Sequence, residues 1–423
     1  MNKQSKIQNP KSKILIVGAG PAGASLAIRL EQSGFEVSLI EREDFPRHKL
    51  CGEFISPECL SHFQELGVLD SMLSAGGGRI TQTVFYAPNG KNVVVPTEWF
   101  GNSSGALSLS RAEMDFRLLE KAREVGVRVL EETQAVGILF EKGLVYGIKV
   151  KSKDGKTYEI AADLTIDATG RANVLGKLAE KSFLTQSRQD AKSPSEKIQN
   201  SKFKIQNRLV GFKTHLKNVN LEKNRCEIYF FRGGYGGLSR VENGLANHCF
   251  LIKSDVVKEF NGDAEKIVEE VIFKNKRAAE TLKEAVPVLD WLAVSVGGFG
   301  LKNLNPAANL FSVGDSAAFI DPFTGSGMLM ALESAKILAG CIARNCSASE
   351  QNTEKTAEKI AQNYRILYRN KFQKRLRVCA FMRRAAFVPA FAGFVVSALS
   401  LSRSARRILA RATRAELSGF AEK

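Results

Sequence analysis

Lys13-Ile14-Leu15-Ile16-Val17 runs straight into Gly18-Ala19-Gly20-Pro21-Ala22-Gly23, and this junction constrains the fold more than any other stretch of the chain. A short, unbroken apolar run is what a parallel strand buried on both faces requires. Ala24 to Ser33 follows with helical spacing, Leu26 and Leu30 lying four apart. A second strand, Phe35 to Ile40, ends in Glu41, 18 residues beyond Gly23. Strand, G-x-G-x-x-G loop, helix, strand and terminal acid, in that order, make a dinucleotide-binding unit. The glycines permit a tight turn and close backbone approach to a pyrophosphate, which sits on the helix N-terminus. Glu41 is placed to accept hydrogen bonds from a ribose diol, which admits NAD or FAD and disfavours a 2′-phosphate.

Far downstream, Asn309 to Asp315 reads as another strand, ending in Gly314-Asp315. Asp321-Pro322, Gly325-Ser326-Gly327 and a helical stretch from Met328 to Ala343 come next. Asp315 is suited to hold a polyol hydroxyl. The glycines open a helix N-terminus whose amides and positive dipole end face an electron-rich ring. Between the two regions, Ser110-Arg111 with Asp115 opens a helix to Val125, and residues 161–171 form a strand ending in the small-residue turn Asp167-Ala168-Thr169-Gly170-Arg171.

These four ordered motifs, spanning residues 13–343, resemble the FAD-dependent monooxygenase and geranylgeranyl reductase superfamily. The resemblance implies an α/β fold: a Rossmann-like FAD-binding domain of glutathione reductase type, with an interleaved β-sheet substrate domain and a C-terminal helical segment. The FAD-binding domain is expected in three pieces, 13–75, 105–180 and 300–345. Residues 76–104 and 209–299 form the substrate sheet, and 346–423 a basic helical region. By the same resemblance Gly18, Ala19, Gly20, Pro21, Ala22 and Gly23 bind the pyrophosphate, and Glu41, with Arg42 beside it, the adenosine ribose. Arg111 lies in the cofactor region, the backbone at Ala135 and Val136 flanks the adenine, and Asp315 holds the ribityl chain. Gly325, Gly327 and Met328 approach the isoalloxazine ring.

The segment Asp44 to Pro57 bears on the chemistry. A Cys51-Gly52 pair after Pro46-Arg47-His48-Lys49 resembles the geranylgeranyl reductase branch, which implies a loop against the flavin with Cys51 assisting catalysis and Gly52 and Glu53 contacting cofactor. Alkene reduction needs a hydride from flavin and a proton on the neighbouring carbon, which a thiol or nearby acid can relay. Two features depart from the branches. The tyrosine and tryptophan motif of prenyl reductases is replaced by Gly234 to Val241, and the paired tryptophans of flavin halogenases are missing, since Trp99 and Trp291 stand far apart. Hydroxylation or epoxidation needs mainly a dry, shaped pocket, so reductase and monooxygenase readings both stand. There is no second G-x-G-x-x-G unit, so NAD(P)H binds transiently or a separate reductase supplies electrons. The substrate is expected to be an apolar small molecule.

Charge narrows the partners. The 423 residues hold 61 basic and 44 acidic side chains, a formal +17. Residues 1–13 carry +4, 182–208 carry +4 and 371–423 carry +10, so the remaining body is near neutral. No helix-turn-helix, zinc or aromatic-basic motif accompanies the charge, which argues against nucleic acid. Seven scattered cysteines without a C-x-x-C pair fit a reduced, cytoplasmic compartment. No apolar run precedes the first strand, so no secretory signal is expected. Residues 182–208, which hold two of three Lys-Ile-Gln-Asn repeats, read as a polar, disordered insertion. The uncharged run 385–402, flanked by arginines, reads either as an interfacial segment on an anionic membrane, as helices packed on the body, or as a span. Oligomeric state is open.

Overall fold

The computed structural model describes residues 13–100, 105–190, 209–346, 353–386 and 402–412. Five parallel strands form its central sheet, in the order Leu310–Ser312, Leu164–Asp167, Lys13–Val17, Glu36–Ile40 and Arg128–Leu130. Ile14 and Ile16 pack beneath the helices Pro21–Gln32, Arg111–Glu124 and Gly327–Asn345. Leu15 and Val17 pack on the opposite side, beneath an antiparallel sheet of Thr133–Glu141, Leu144–Ser152 and Thr157–Ala161. With both faces covered, successive side chains must all be apolar, which is why the first strand shows no alternation.

The sheet expected to face substrate runs Val286–Pro287, Leu209–Lys217, Ala246–Lys253, Gly234–Arg240, Arg225–Phe231, Gln82–Tyr86 and Asn92–Pro96, with Leu292–Val296 also pairing Leu209–Lys217. Its register aligns Lys213, Cys249, Gly237, Ile228, Phe85 and Val93 in one row across six strands. Two residues along, His215, Asn247, Ser239, Cys226, Thr83 and Val95 form the neighbouring row on the same face. The other face carries Phe212, Phe250, Leu238, Tyr229 and Val84. Helices Ser254–Glu259, Ala264–Glu270 and Lys276–Leu282 cover it and close a core there. One side of the sheet is therefore structural and the other is left for the site.

One feature differs from the sequence expectation. Helix Val174–Asp190 runs nine residues into the stretch expected to be disordered from 182. Polarity does not break a helix; glycine or proline does, and after Gly176 the first breaker is Pro194. Residues 191–208, with their repeats, lie outside the described residues. At the C-terminus, helix Thr353–Ala386 packs on Gly327–Asn345 through Ile360, Tyr364, Tyr368 and Phe372, and the Tyr364 hydroxyl donates to the Ser312 carbonyl at 2.9 Å. This part of the tail is packed on the body. Most of the apolar run 385–402 lies outside the described residues. Helix Arg403–Ala412 then packs on Asn92–Pro96 and on Thr97–Phe100. Among the described residues, no helix is long and apolar enough to cross a membrane.

The structural face carries a pH dependence. Burial lowers the His248 imidazole to about 4, and its Nε2 has no hydrogen-bond partner among the described residues. Its ring packs against Phe250 and Trp291. The unfolded histidine titrates near 6.5. Acid therefore favours the unfolded chain, and this stability is complete above pH ~6.5 and lost as pH falls toward 4. Urea unfolding at pH 7 and 4.5 is expected to show wild type losing roughly 2 kcal/mol more than His248→Phe. Equal losses would place the acid sensitivity elsewhere.

Candidate functional site

The first glycine loop is held by contacts no side chain would allow. Gly18 has φ +104°, and a Cβ there would lie 2.4 Å from the Ala168 carbonyl oxygen. A Cβ on Gly23 would lie 1.8 Å from the Gly18 oxygen. Gly20 is different: a Cβ there meets nothing nearer than the Arg111 guanidinium at 3.8 Å, so its missing side chain leaves open space. It is also the N-cap of Pro21–Gln32 and caps no amide through a side chain, which leaves first-turn donors for an anion. Glu41 is fixed by the amides of Ala19 at 2.9 Å, Arg42 at 3.1 Å and Glu43 at 3.2 Å. Arg42 lies at the rim, paired with Glu43.

Asp115 is fully buried and gathers two arginines. Arg111 donates to it through Nε at 2.8 Å and Nη2 at 2.7 Å, and Arg47 through Nη1 at 2.8 Å. Burial would raise its carboxyl, but Arg111 and Arg47 together hold it below the usual range. Arg111 is thereby locked beside the loop. Burial pushes the Asp315 carboxyl up against the opposing pull of Arg171 and Lys302. That carboxylate lines the cavity and accepts no hydrogen bond from the described residues, which leaves it open to a ligand hydroxyl. Gly325, with φ +60°, turns the chain into helix Gly327–Asn345, whose N-terminus has no side-chain cap. A cradle of this shape, a cavity-lining acid after the second strand and an acid open to a polyol fit a flavin dinucleotide.

Of the residues expected around the adenine, Ala135 lines the cavity with Thr133 and Gln134. Val136 is 40% exposed and lies outside the lining; the strand register slips between Ala135 and Gly137, which leaves Val136 as the unpaired residue of a bulge. Ala19 and Gly23 act from behind the lining, through the Glu41 bond and the glycine contact above, whereas Gly52, Gly327 and Met328 line it.

The loop after Pro46 carries the reactive end. Cys51 is half-buried, next to the Arg111 guanidinium, and its carbonyl accepts from Asn247 Nδ2 at 3.1 Å. Glu53 has no exposed surface, and its carboxylate is fully engaged. It accepts from the Arg111 amide at 2.8 Å and binds Lys213 Nζ and His215 Nε2, the latter at 2.7 Å. Burial would raise the Glu53 carboxyl, but His215 and Lys213 hold it below the ordinary value. Its side chain is thus a structural anchor for the loop, and Glu53 also lines the cavity. His48 lines the cavity with its ring edge-on to His215 at 5.3 Å. Burial first, then Lys213 and His215, lowers its imidazole, so it is neutral at pH 7. Lys213, His215, Arg47 and His48 were not singled out from the sequence. Lys213 and His215 alternate in Leu209–Lys217 as polar residues of a half-exposed strand do, and only their burial reveals the difference.

From this end a single cavity of about 1,130 Å³ extends over the open face of the substrate sheet. It is lined by Cys249, Gly237, Ile228, Phe85 and Val93 in turn, together with Tyr235, Phe230, Phe319 and Phe323. Phe323 packs against Tyr235 at 5.2 Å, Phe85 at 5.7 Å and Phe230 at 5.8 Å. The Tyr235 hydroxyl donates to Asp321 at 2.6 Å, and burial pushes that phenol well up. Of the aromatics noted in the sequence, Phe230 reaches the cavity, while the rings of Tyr229, Phe231 and Phe250 belong to the core behind the sheet. Arg406 and Ala410, from the tail, also line the cavity.

Comparison with known proteins agrees with this geometry. The family model described as FAD binding domain matches residues 11–361. Digeranylgeranylglycerophospholipid reductase 2 of Methanopyrus kandleri is 27% identical over 369 residues, covering 85% of this chain and 83% of its own. A geranylgeranyl bacteriochlorophyll reductase-like structure from Thermoplasma acidophilum aligns with a TM-score of 0.73 at 19% identity, over 96% of each chain. The flavin-dependent brominase Bmp2 aligns with a TM-score of 0.71 at 17% identity, over 95% of this chain and 94% of its own. At such identities the two structures speak for the fold alone.

Proposed function

The chain belongs to the FAD binding domain family, and on that premise we propose that this FAD-dependent oxidoreductase reduces isoprenoid-type carbon–carbon double bonds in an apolar substrate. One observation carries the reading: the dinucleotide cradle opens into an aromatic and aliphatic chamber within the same cavity. The similarity to a reductase of prenyl lipids supports it. Reduced FAD held in the cradle would supply the hydride chemistry for one alkene carbon. The chamber walls hold the chain and exclude water. The second carbon needs a proton, and Cys51, which lines the cavity, is the donor assigned in this reading. The Arg111 guanidinium then stabilises the thiolate until solvent returns the proton. NAD(P)H or a separate reductase restores the reduced cofactor. Exposed Arg403 and Arg407, with Ile408 70% exposed between turns of basic helix, suit an anionic membrane surface as the source of substrate.

The test is anaerobic. Holoprotein is reduced without oxygen and mixed with polyprenyl substrates. Flavin reoxidation with a product heavier by two hydrogens is expected. A requirement for oxygen, with one oxygen atom added, overturns the proposal in favour of monooxygenation. In the same assay Cys51→Ala is expected to lower kcat by about 10²-fold with the flavin spectrum intact. An unchanged kcat would remove the thiol from proton delivery.

A further inference from the structure

We propose that Arg406 is an anion-binding subsite of the substrate chamber, which holds a phosphate ester at one end of a prenyl chain while the chain lies across the sheet toward the flavin. The proposal rests on the reading above and adds the polar end of the substrate.

Arg406 is half-buried and lines the cavity, unlike Arg403 and Arg407 on the same helix, which are exposed. Its Nη1 donates to the Val94 carbonyl at 3.3 Å, which fastens the side chain over the outermost strand of the sheet. Its Nε is buried and makes no hydrogen bond among the described residues, and none of their carboxylates pairs with it. A partly desolvated guanidinium in an apolar wall without a counter-ion is costly. Helix Arg403–Ala412 nevertheless holds it there, because Ala410, one turn on, is buried in the cluster containing Val93, Trp99 and Phe100. The unmet need is an anion, supplied from within the cavity.

Position says which part of a substrate that anion is. The row from Lys213 to Val93 crosses five interstrand gaps. At ~4.8 Å each, these span about 24 Å. The Lys213 end adjoins the Cys51 loop, since Lys213 Nζ donates to the Lys49 carbonyl at 3.0 Å. The Val93 end adjoins Arg406. Between them the row is Cys249, Gly237, Ile228 and Phe85, with no charge. A molecule that satisfies both ends is elongated and apolar, with its charge at the terminus far from the reacting bond. Arg406 thereby also discriminates: a prenyl alcohol or hydrocarbon leaves the guanidinium unpaired, a phosphate does not.

The experiment uses holoenzyme and three probes: geranylgeranyl phosphate, geranylgeraniol, and a prenyl-chain glycerophosphate lipid in neutral vesicles. Equilibrium binding to the oxidised enzyme is measured calorimetrically for wild type, Arg406→Gln and Arg406→Lys, so the result does not depend on turnover. Arg406→Gln is expected to weaken binding of at least one phosphate-bearing probe roughly tenfold or more while geranylgeraniol changes less than about twofold. Arg406→Lys is expected to recover part of the loss. Which phosphate probe responds identifies the source as free ester or membrane lipid. Equal weakening for phosphate and alcohol means a structural role for Arg406 and overturns the proposal, as does no change in any probe. The anaerobic turnover assay separates the two readings: phosphate-selective binding without double-bond reduction leaves this subsite standing and removes the reductase.

Discussion

Glu53→Gln is expected to cost about 3–5 kcal/mol of folding stability, although the change removes no more than one charge and keeps the side chain's shape. The carboxylate lies at the meeting point of Lys213, His215 and the Arg111 amide, with Glu53 and Lys213 both within 1% of complete burial. Removing a charge from such a group leaves the cation desolvated and unpaired, and that penalty exceeds the loss of the bonds themselves. Lys213→Met in the same chain takes away the stranded cation, so the double variant is expected to recover most of the loss. The measurement is urea unfolding of wild type, both single variants and the double variant at pH 7. Glu53→Gln within 1 kcal/mol of wild type would show that the cluster is not ionic in its stabilisation. The pH dependence has a definite sign. A carboxyl whose folded value lies below its unfolded value stabilises the fold above the unfolded value, and that contribution fades as pH falls through the folded one. Glu53→Gln removes this acid-side decline. Activity should fall with stability, because Glu53 also anchors the loop that presents Cys51.

How much of this was legible beforehand follows sequence distance. The cradle lies within one strand-turn-helix-strand unit, and its glycines, Pro21 and Glu41 state their roles locally. Asp315 and Gly325 are legible for the same reason, being a strand end and a helix start. The anchor of Glu53 is not local. Lys213 is 160 residues away and His215 is 162, and their strand reads as an ordinary alternation of apolar and polar residues. Only the pairing of Leu209–Lys217 inside the substrate sheet turns those polar side chains inward. The same holds for Arg406. In the sequence it is one of many positive charges in a basic tail; the helix docking on Thr97–Phe100 makes it part of the cavity wall. Val136 shows the reverse, a residue adjacent to a lining residue that a bulge between Ala135 and Gly137 leaves exposed. Helix Val174–Asp190 shows that a polar composition was too weak a guide to disorder where no breaker residue intervenes.

Gly20→Ala and Gly23→Ala are expected to separate binding of FAD from formation of its cradle. An alanine at Gly23 puts its methyl 1.8 Å from the Gly18 carbonyl oxygen and 3.1 Å from the Ala168 methyl, both in the heart of the turn. Backbone cannot yield there without opening the loop, so overpacking on the order of 3 kcal/mol or more is added to loss of the binding geometry. An alanine at Gly20 meets only the far end of Arg111, at 3.8 Å, and the residue has an ordinary φ of −72°. The protein alone accommodates it. The methyl instead occupies the space through which a pyrophosphate must approach the first-turn amides of Pro21–Gln32. Gly20→Ala should therefore unfold within about 1 kcal/mol of the wild-type apoprotein yet bind FAD at least roughly a hundredfold more weakly, a difference near 2.7 kcal/mol. Gly23→Ala should lose on both counts. Flavin absorbance after purification, FAD titration of the apoprotein and apoprotein unfolding supply the three readings. Full flavin retention by Gly20→Ala would move the pyrophosphate off this helix N-terminus, and with it the placing of every cofactor contact along the cavity.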